Sequence, residues 1–288
     1  MNIITPPTGL DSAFLAISIS SGKPHYDMAK MAQGKSVVHL HNSDLEKIDL
    51  LYPEYEEQVQ ISAHFKRIDN LITLHQRKHF CYLNMRHHAL PKLLTRQSTN
   101  TWEQRKLGDM MNVTSVKRIH QSDWTDSGIR FLRARDIVAA AKGEEPSDKL
   151  YISKEKYEEY SALSGKVCVD DLLVTGVGTI GIPYLISNSE PLYFKDGNII
   201  WFQNSGRING KFFYYSFIGT QIQTFIKDSA GIGTVGTYTI DSGKKTPILL
   251  PNIEEQKKLG AFFADLDSLI TLHQRKRKCL SLIRTWIA

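Results

Sequence analysis

Apolar residues recur at three- and four-residue steps over two long stretches of the chain, which is the pattern of a helix with one buried face. The stretches are copies. Residues 53–78 and 251–276 lie 198 positions apart, are identical at fifteen of twenty-six positions, and share the octamer 71–78, which returns as 269–276. Asn252 and Glu255 form a capping-box start for the second copy. We therefore predict two long helices.

The apolar stripe on each predicted helix is narrow, which favours a coiled-coil spacer over a helix packed on a broad core. We expect the two copies to pair antiparallel, with Leu71 and Ile72 near residues 266–270. Two surface helices on separate cores are the alternative. Pro91 predicts an end or a kink in the first helix, because an interior proline removes a hydrogen bond.

Between the two copies the pattern changes to short apolar or alternating runs, which predict strands. These runs cover 128–137, 166–175, 182–186 and 198–202. The segment 237–240 also has a strand-like pattern. Residues 154–163 and 211–227 have a helical pattern. The fold class we predict is α+β: a mixed α/β domain with two long antiparallel spacer helices.

The 198-residue repeat continues upstream of the first helix, where fewer positions are similar. Phe14 and Leu15 correspond to Phe212 and Phe213, and Leu51 corresponds to Leu249. Residues 1–52 thus resemble the end of a second globular domain whose first part, the counterpart of 102–198, does not occur in the sequence. We expect this segment to be loosely held or to borrow a surface, since a partial domain buries too little apolar area. The predicted division is 1–52, 53–101, 102–252 and 253–288.

Composition adds a basic character. The 288 residues carry a net charge of +6, and blocks 75–96 and 272–288 each hold five Lys or Arg and no acid. Such blocks suit a phosphate backbone, although a solvated helix face is an equally good account of either block alone. No apolar run has membrane-spanning length and no signal pattern opens the chain, so we expect a cytoplasmic protein. Cys81, Cys168 and Cys279 make neither a disulfide framework nor a metal site.

Two glycine loops, 176–181 and 231–236, match the spacing of a dinucleotide-binding fingerprint. Both run into extended sequence rather than a helix, so tight turns are the better interpretation and no cofactor is expected. The sequence also has no P-loop, no paired-histidine zinc spacing and no adenine-methyltransferase tetrad. His75 and His273 lie at the same repeat position on the apolar stripe, which favours packing over catalysis.

Cations in the globular part are candidates for reading DNA, because Arg and Lys are the usual partners of guanine edges and phosphates. We expect contacts from residues in a polar loop, on an alternating strand and beside the first glycine turn. These candidates are Lys117, Arg118, Arg133, Arg135 and Thr179, with Arg130, Lys244 and Lys245 as further basic positions.

The whole chain resembles the specificity (S) subunit of type I restriction-modification systems. The resemblance is carried by the domain start 102–108, the strand and glycine loop 171–181, the domain exit 248–256 and the duplicated helix beyond it. It implies a non-catalytic subunit with two target recognition domains, separated by paired helices, that read the two halves of a split site in double-stranded DNA. It further implies methyltransferase (M) subunits that methylate adenine at N6 and motor-nuclease (R) subunits that cut DNA with ATP.

The sequence departs from that family in its incomplete first recognition domain. A remnant, a silent recombination cassette and a half-subunit that pairs with a second S-type chain all remain open. A helical scaffold protein without DNA specificity is the alternative from another class, and an NAD-dependent enzyme rests only on the glycine loops.

Overall fold

A computed structural model describes residues 4–32, 40–94, 102–146, 148–230 and 236–287, and these form a mixed helix and sheet structure. Contacts divide the chain into two units, residues 1–83 with 268–288, and residues 84–267. The described helices are α1 (Ser12–Ile19), α2 (Gly22–Met31), α3 (Asn42–Leu45), α4 (Tyr55–Leu94), α5 (Leu107–Met110), α6 (Ala134–Ala141), α7 (Lys154–Ser164), α8 (Gly210–Ile218), α9 (Thr220–Ser229), α10 (Ile240–Lys245) and α11 (Ile253–Ile287). The described strands are β1 (Glu103–Lys106), β2 (Asn112–Thr114), β3 (Trp124–Thr125), β4 (Ile129–Leu132), β5 (Leu150–Ile152), β6 (Leu172–Thr175), β7 (Pro183–Leu185), β8 (Leu192–Phe194), β9 (Ile199–Gln203) and β10 (Pro247–Leu250).

The duplicated stretches form α4 and α11, as the apolar spacing predicts. Their stripes are buried at equivalent positions: Phe65 and Ile68 on α4 are 4% and 6% exposed, and Phe263 and Leu266 on α11 are 0% and 3% exposed. Asn252 caps α11, because its Oδ1 accepts the backbone N–H of Glu255 at 2.9 Å. Helix α4 continues through Pro91 as far as Leu94, the last described residue of this segment, so the end expected at Pro91 is wrong.

In the first unit the two helices run antiparallel. Asp69 forms an ion pair with Arg284, and His79 Nδ1 donates to the carbonyl of Ile270 at 3.1 Å. Ile270 therefore lies beside His79, whereas the sequence analysis expected Leu71 and Ile72 near residues 266–270. In the second unit, Arg86 Nε and Asp267 Oδ1 lie 2.8 Å apart. Arg86 and Asp267 are the counterparts of Arg284 and Asp69 at the 198-residue offset, so each unit contains an ion pair between the same repeat positions.

The repeat histidines His75 and His273 are in contact within the first unit. His75 Nδ1 and His273 Nδ1 are 2.8 Å apart, and the ring of Tyr82 stacks on His273 with centroids 5.5 Å apart. One proton must lie between the two nitrogens, so one ring donates and the other accepts. Burial, with His75 and Lys78 nearby, lowers the pKa of His273. The histidine pair is thus a packed contact, as predicted.

The second unit contains a four-stranded sheet in the order β2-β9-β6-β7, in which every neighbouring pair is antiparallel. Successive side chains on a strand point to opposite faces. Accordingly Ile200 and Phe202 of β9 enter a core with α8 and α9, and Ile199 and Trp201 enter a second core on the other face. A second sheet, β3-β5-β4-β8, contributes Phe131, Ile152 and Phe194 to that second core. Strands β1 and β10 form a separate two-stranded sheet.

Three expected strands differ in the structure. The run 166–175 is strand only from Leu172 to Thr175. The run 128–137 is strand only as far as Leu132, after which Arg133 begins the cap of α6. Asp136 accepts the backbone N–H of Arg133 at 2.8 Å, and the alanine-rich sequence that follows favours helix. Residues 237–239 are irregular and cap α10 through Thr239, whose Oγ1 accepts the N–H of Ser242 at 3.2 Å.

Candidate nucleic-acid interface

The ends of several strands in the second unit meet at one edge. Strands β2 and β6 both run antiparallel to β9, with Thr114 opposite Trp201 and Thr175 opposite Ile199. The carboxyl ends of β2 and β6 therefore both lie beside the start of β9. Ser115 confirms this, because its Oγ donates to the carbonyl of Ile199 at 3.2 Å.

The second sheet reaches the same edge through β4 and β8. These strands are parallel, with Leu132 opposite Phe194, so both end there. The backbone N–H of Lys195, which follows β8, donates to the carbonyl of Leu132 at 2.9 Å. The turn 195–198 then leads directly into β9. We call this edge, made of residues 115–118, 133–135, 176–181 and 195–198, the basic edge.

The first glycine loop forms a tight turn on the basic edge. Thr175 Oγ1 donates to the carbonyl of Thr179 at 2.5 Å and accepts the N–H of Ile182 at 2.9 Å, which closes the turn. Gly178 and Gly181 have φ angles of +77° and +76°, a region that favours glycine. Thr179 is exposed at the tip of the turn. The predicted tight turn is therefore present, whereas residues 231–235 of the second glycine loop lie outside the described residues.

Gly176 lets another segment pass close to this turn. Its carbonyl accepts the N–H of Tyr238 at 2.9 Å, and a Cβ at this position would lie 2.6 Å from the carbonyl oxygen of Tyr238. A side chain at residue 176 is thus excluded by the backbone. The stretch following the second glycine loop is held against the first in this way.

Lys117 and Arg118 are exposed on the basic edge but differ in their contacts. The side chain of Lys117 has no ionic partner among the described residues, and its backbone is fixed because Tyr193 donates to its carbonyl at 2.8 Å. Arg118 Nε lies 2.8 Å from Asp196, yet 68% of the Arg118 side chain remains exposed. Such a surface ion pair contributes about 0–1 kcal/mol, so a phosphate could replace Asp196 at little cost.

Arg133 has a different environment. Its side chain is 13% exposed and binds both carboxylate oxygens of Asp136, which is 1% exposed, at 3.0 and 3.1 Å. It also donates to the carboxylate and the carbonyl of Asp148 at 3.2 and 2.6 Å. Burial opposes the charge of Arg133, but these hydrogen bonds raise its pKa above the ordinary value. The side chain of Arg133 therefore stabilises the start of α6.

Asp148 also engages Arg135, whose side chain is 59% exposed. Hydrogen bonds from Arg133 hold the pKa of the Asp148 carboxyl below its ordinary value. Arg130 is turned inward too, donating to the carbonyls of Phe131 and Leu150 at 3.1 and 2.9 Å. The strand expected to present Arg130, Arg133 and Arg135 ends at Leu132, because helix α6 begins after Arg133.

Sequence reasoning missed Lys195. Lys195 is exposed in the turn between β8 and β9. Its place in the candidate interface becomes evident only because the two sheets meet at this turn. Lys244 and Lys245 do not belong to the basic edge. The backbone of Lys244 is against Gly108, which lies before the start of β2 and therefore away from the basic edge.

The sequence of this unit matches a known family. Residues 99–281 match the model of the type I restriction modification DNA specificity domain. The chain is 23% identical over 278 residues to the type I restriction enzyme MjaVIII specificity subunit of Methanocaldococcus jannaschii, covering 87% of this chain and 63% of that protein. It is 28% identical over 165 residues to a putative type I restriction enzyme specificity subunit of Haemophilus influenzae, covering 57% of this chain and 40% of that one.

Solved structures share the fold. The S subunit of a type I restriction-modification system from M. genitalium superposes with a TM-score of 0.60 at 16% identity, covering 97% of this chain and 72% of that one. The HsdS subunit from Thermoanaerobacter tengcongensis gives a TM-score of 0.60 at 14% identity, covering 97% and 69%. Among the described residues, no helix is long and apolar enough to cross a membrane and no cluster of three metal-binding side chains occurs. Since its family match spans more than half of the chain, the protein belongs to the type I restriction-modification DNA specificity family.

Proposed function

We propose that this chain is a DNA-reading specificity subunit, and that its basic edge contacts one half of a split DNA site. The observation that carries the proposal is the convergence of four strand ends, with exposed Lys117, Arg118, Lys195 and Thr179, in the region that matches the specificity family. Exposed cations attract phosphates, and a tight glycine turn allows backbone to approach a base pair closely.

Each edge residue has a proposed part. Lys117 and Lys195 contact phosphates, which would position the domain without reading sequence. Arg118 exchanges Asp196 for DNA and is the best candidate for a base contact, with the hydroxyl of Thr179 beside it. Arg135 supplies charge at the rim, whereas Arg133 shapes the edge by fixing the start of α6.

The wider organisation is also a proposal, because the chain covers only 63% and 40% of the length of the two specificity subunits it matches. Residues 102–252 form a target recognition domain, and residues 1–52 are the last part of another. Segments 53–101 and 253–288 are the spacer helices and bind M subunits. R subunits join that core, a second S-type chain supplies another recognition domain, and the assembly acts in the cytoplasm. In this scheme the M and R subunits perform the methylation and cleavage.

The phosphate contacts can be tested by salt dependence. The chain is purified with its M subunits, and DNA affinity is measured between about 50 and 200 mM salt. Removing one phosphate contact, by Lys117→Ala or Lys195→Ala, should weaken all DNA sequences alike and reduce the logarithmic salt slope by about 0.9. Lys244→Ala, an exposed lysine away from the edge, is the matched control. An unchanged slope in both edge variants would show that the basic edge does not contact DNA.

A further inference from the structure

Asn198 lies on the basic edge, at the last position of the turn that leads into β9. Its backbone is tied to the neighbouring loops. The N–H of Gly176 donates to the carbonyl of Asn198 at 2.8 Å, and Ser115 Oγ donates to the next carbonyl, that of Ile199, at 3.2 Å. The position of Asn198 is therefore fixed by the two loops that follow β2 and β6.

The side chain of Asn198, unlike its backbone, has no hydrogen-bond partner among the described residues. Asn198 is half-buried, and neither atom of its amide is among the buried polar atoms that lack a partner, so both atoms reach solvent. An amide carries one donor group and one acceptor whichever way it is turned. Asn198 thus presents a donor and an acceptor at the surface of the basic edge.

The other asparagines between residues 102 and 252 all have side-chain hydrogen bonds. Asn112 donates to Gln203 Oε1 at 2.8 Å, and Asn204 donates to two backbone carbonyls at 3.0 and 2.6 Å. The remaining three accept backbone N–H groups, as asparagines in turns and helix caps do: Asn188, Asn209 and Asn252. Asn198 is the exception among the described asparagines of this region.

The backbone of the turn does not require an asparagine at residue 198 either. Asparagine is common in turns partly because it tolerates positive φ angles. Among the described residues, the non-glycine residues with positive φ are Asp170 and Ser205, so Asn198 has an ordinary conformation. The positive φ angle in this turn, +71°, belongs to Gly197. Neither the conformation of the turn nor a side-chain contact accounts for Asn198.

Two candidate base contacts lie close to this free amide. Asp196, two residues before Asn198, is the ion-pair partner of Arg118. Gly176, which is hydrogen-bonded to Asn198, begins the turn that carries Thr179 at its exposed tip. The free amide therefore lies in the same part of the basic edge as the side chains proposed to contact bases.

We propose that Asn198 is a specificity-determining residue, and that its amide reads an adenine in the half-site that the basic edge contacts. In the major groove adenine presents an acceptor, N7, and a donor, the N6 amino group, and an asparagine amide matches both at once. Guanine presents two acceptors there and cytosine one donor, so neither satisfies both atoms of the amide. The inference rests on the proposed function, because it requires that the basic edge faces DNA.

The fixed backbone favours such a contact. Because the loops after β2 and β6 hold the chain on either side of the Asn198 side chain, binding has to order only the bonds of that side chain. A recognition group that is already positioned loses less conformational freedom on binding than one on a free loop.

The test asks which base pair depends on Asn198. The motif methylated in cells that express the native chain with its M subunits supplies the DNA duplex, and every base pair of that motif is changed in turn. The affinity of the purified complex for each duplex is measured with the native chain, Asn198→Ala and Asn198→Asp. Asn188→Ala is the matched control, because Asn188 is exposed in the loop after β7, a strand that runs away from the basic edge.

In Asn198→Ala the preference for adenine at one base pair should fall roughly 5- to 150-fold, the worth of one bidentate contact, while the other positions keep their preference. Asn198→Asp has acceptors only, so the preference at the same base pair should shift towards cytosine, whose N4 amino group donates. The urea midpoint of unfolding should stay at the native value in both variants, since the side chain has no partner to lose. Asn188→Ala should leave every preference unchanged.

Native discrimination at every base pair in both Asn198 variants, whatever their urea midpoint, would overturn the reading role. Equal weakening on all duplexes would also overturn it, because that result indicates a phosphate contact. A lost preference for a base other than adenine would overturn the assignment to adenine.

The salt slopes of Lys117→Ala and Lys195→Ala, measured on the same duplexes, separate this inference from the proposed function. Slopes that fall as expected, together with native discrimination in the Asn198 variants, would show that only the adenine reading is wrong. Unchanged slopes together with native discrimination would overturn both proposals.

Discussion

Replacing Arg133 by alanine should destabilise the second unit severely, and the reason lies in Asp136. That carboxylate is 1% exposed, and Arg133 provides two hydrogen bonds to it at 3.0 and 3.1 Å. With Arg133 removed, the ion-pair partner that remains among the described residues is Arg130, whose Nη2 is 3.8 Å away. Leaving a buried charge without its partner costs about 3–5 kcal/mol. Arg118→Ala should cost less than about 1 kcal/mol, because 68% of the Arg118 side chain is exposed to solvent.

Equilibrium unfolding in urea, followed by the fluorescence of buried Trp201, measures both changes. A loss of about 3–5 kcal/mol should lower the melting temperature by roughly 6–20 °C for a unit of this size. A double-mutant cycle with Asp136→Asn isolates the interaction, because the second change removes the charge that the first leaves unpaired. If Arg133→Ala leaves the free energy of unfolding within about 0.5 kcal/mol of the native value while DNA affinity falls, Arg133 reads DNA and its structural role is wrong.

Three further predictions concern packing and pH. Phe263→Ala should cost about 3–5 kcal/mol because Phe263 is 0% exposed, whereas Phe262→Ala, 42% exposed, should cost under about 1 kcal/mol in the same urea titration. Since the pKa of His273 is lowered by burial and nearby positive charge, the unfolded chain takes up a proton more readily, so the free energy of unfolding should fall as pH drops below 6.5 and His273→Leu should flatten that dependence. Gly176→Ala should destabilise by about 1–3 kcal/mol, because the added methyl meets a backbone carbonyl at 2.6 Å; a variant as stable as the native protein would contradict this.

The long helices could be predicted from the sequence because their apolar spacing persists over many turns and occurs twice. Their register could not, since identical stripes permit several alignments; the pairing of His79 with Ile270 depends on which side chains interlock. The prediction that a strand extends through Arg135 was wrong for a local reason. Asp136 caps a helix at Arg133, and a capping box can end an alternating pattern that would otherwise continue.

Only part of the candidate site could be predicted from the sequence. Lys117, Arg118 and Thr179 belong to separate loops, and nothing in their spacing shows that β2 and β6 flank the same end of β9. Lys195 was missed because a lone lysine in a turn is ordinary until Lys195 is seen to hydrogen-bond Leu132 at the same edge. Conversely, Arg133 matched the chemistry of DNA reading but is engaged by Asp136 and Asp148, a contact that only the fold reveals.

The most direct test of the central claim is the methylation pattern written by the assembled complex. Cells expressing the chain with its M subunits are sequenced for modified adenines, using the native chain, the edge variant Lys117→Ala/Arg118→Ala and the control Lys244→Ala. We predict the same half-site in the methylated motif of the native chain and of the control, and loss or relaxation of that half-site in the edge variant, since one base-reading arginine is worth about 1–3 kcal/mol of discrimination. The same motif methylated to the same extent by the edge variant would contradict the assignment of DNA reading to the basic edge.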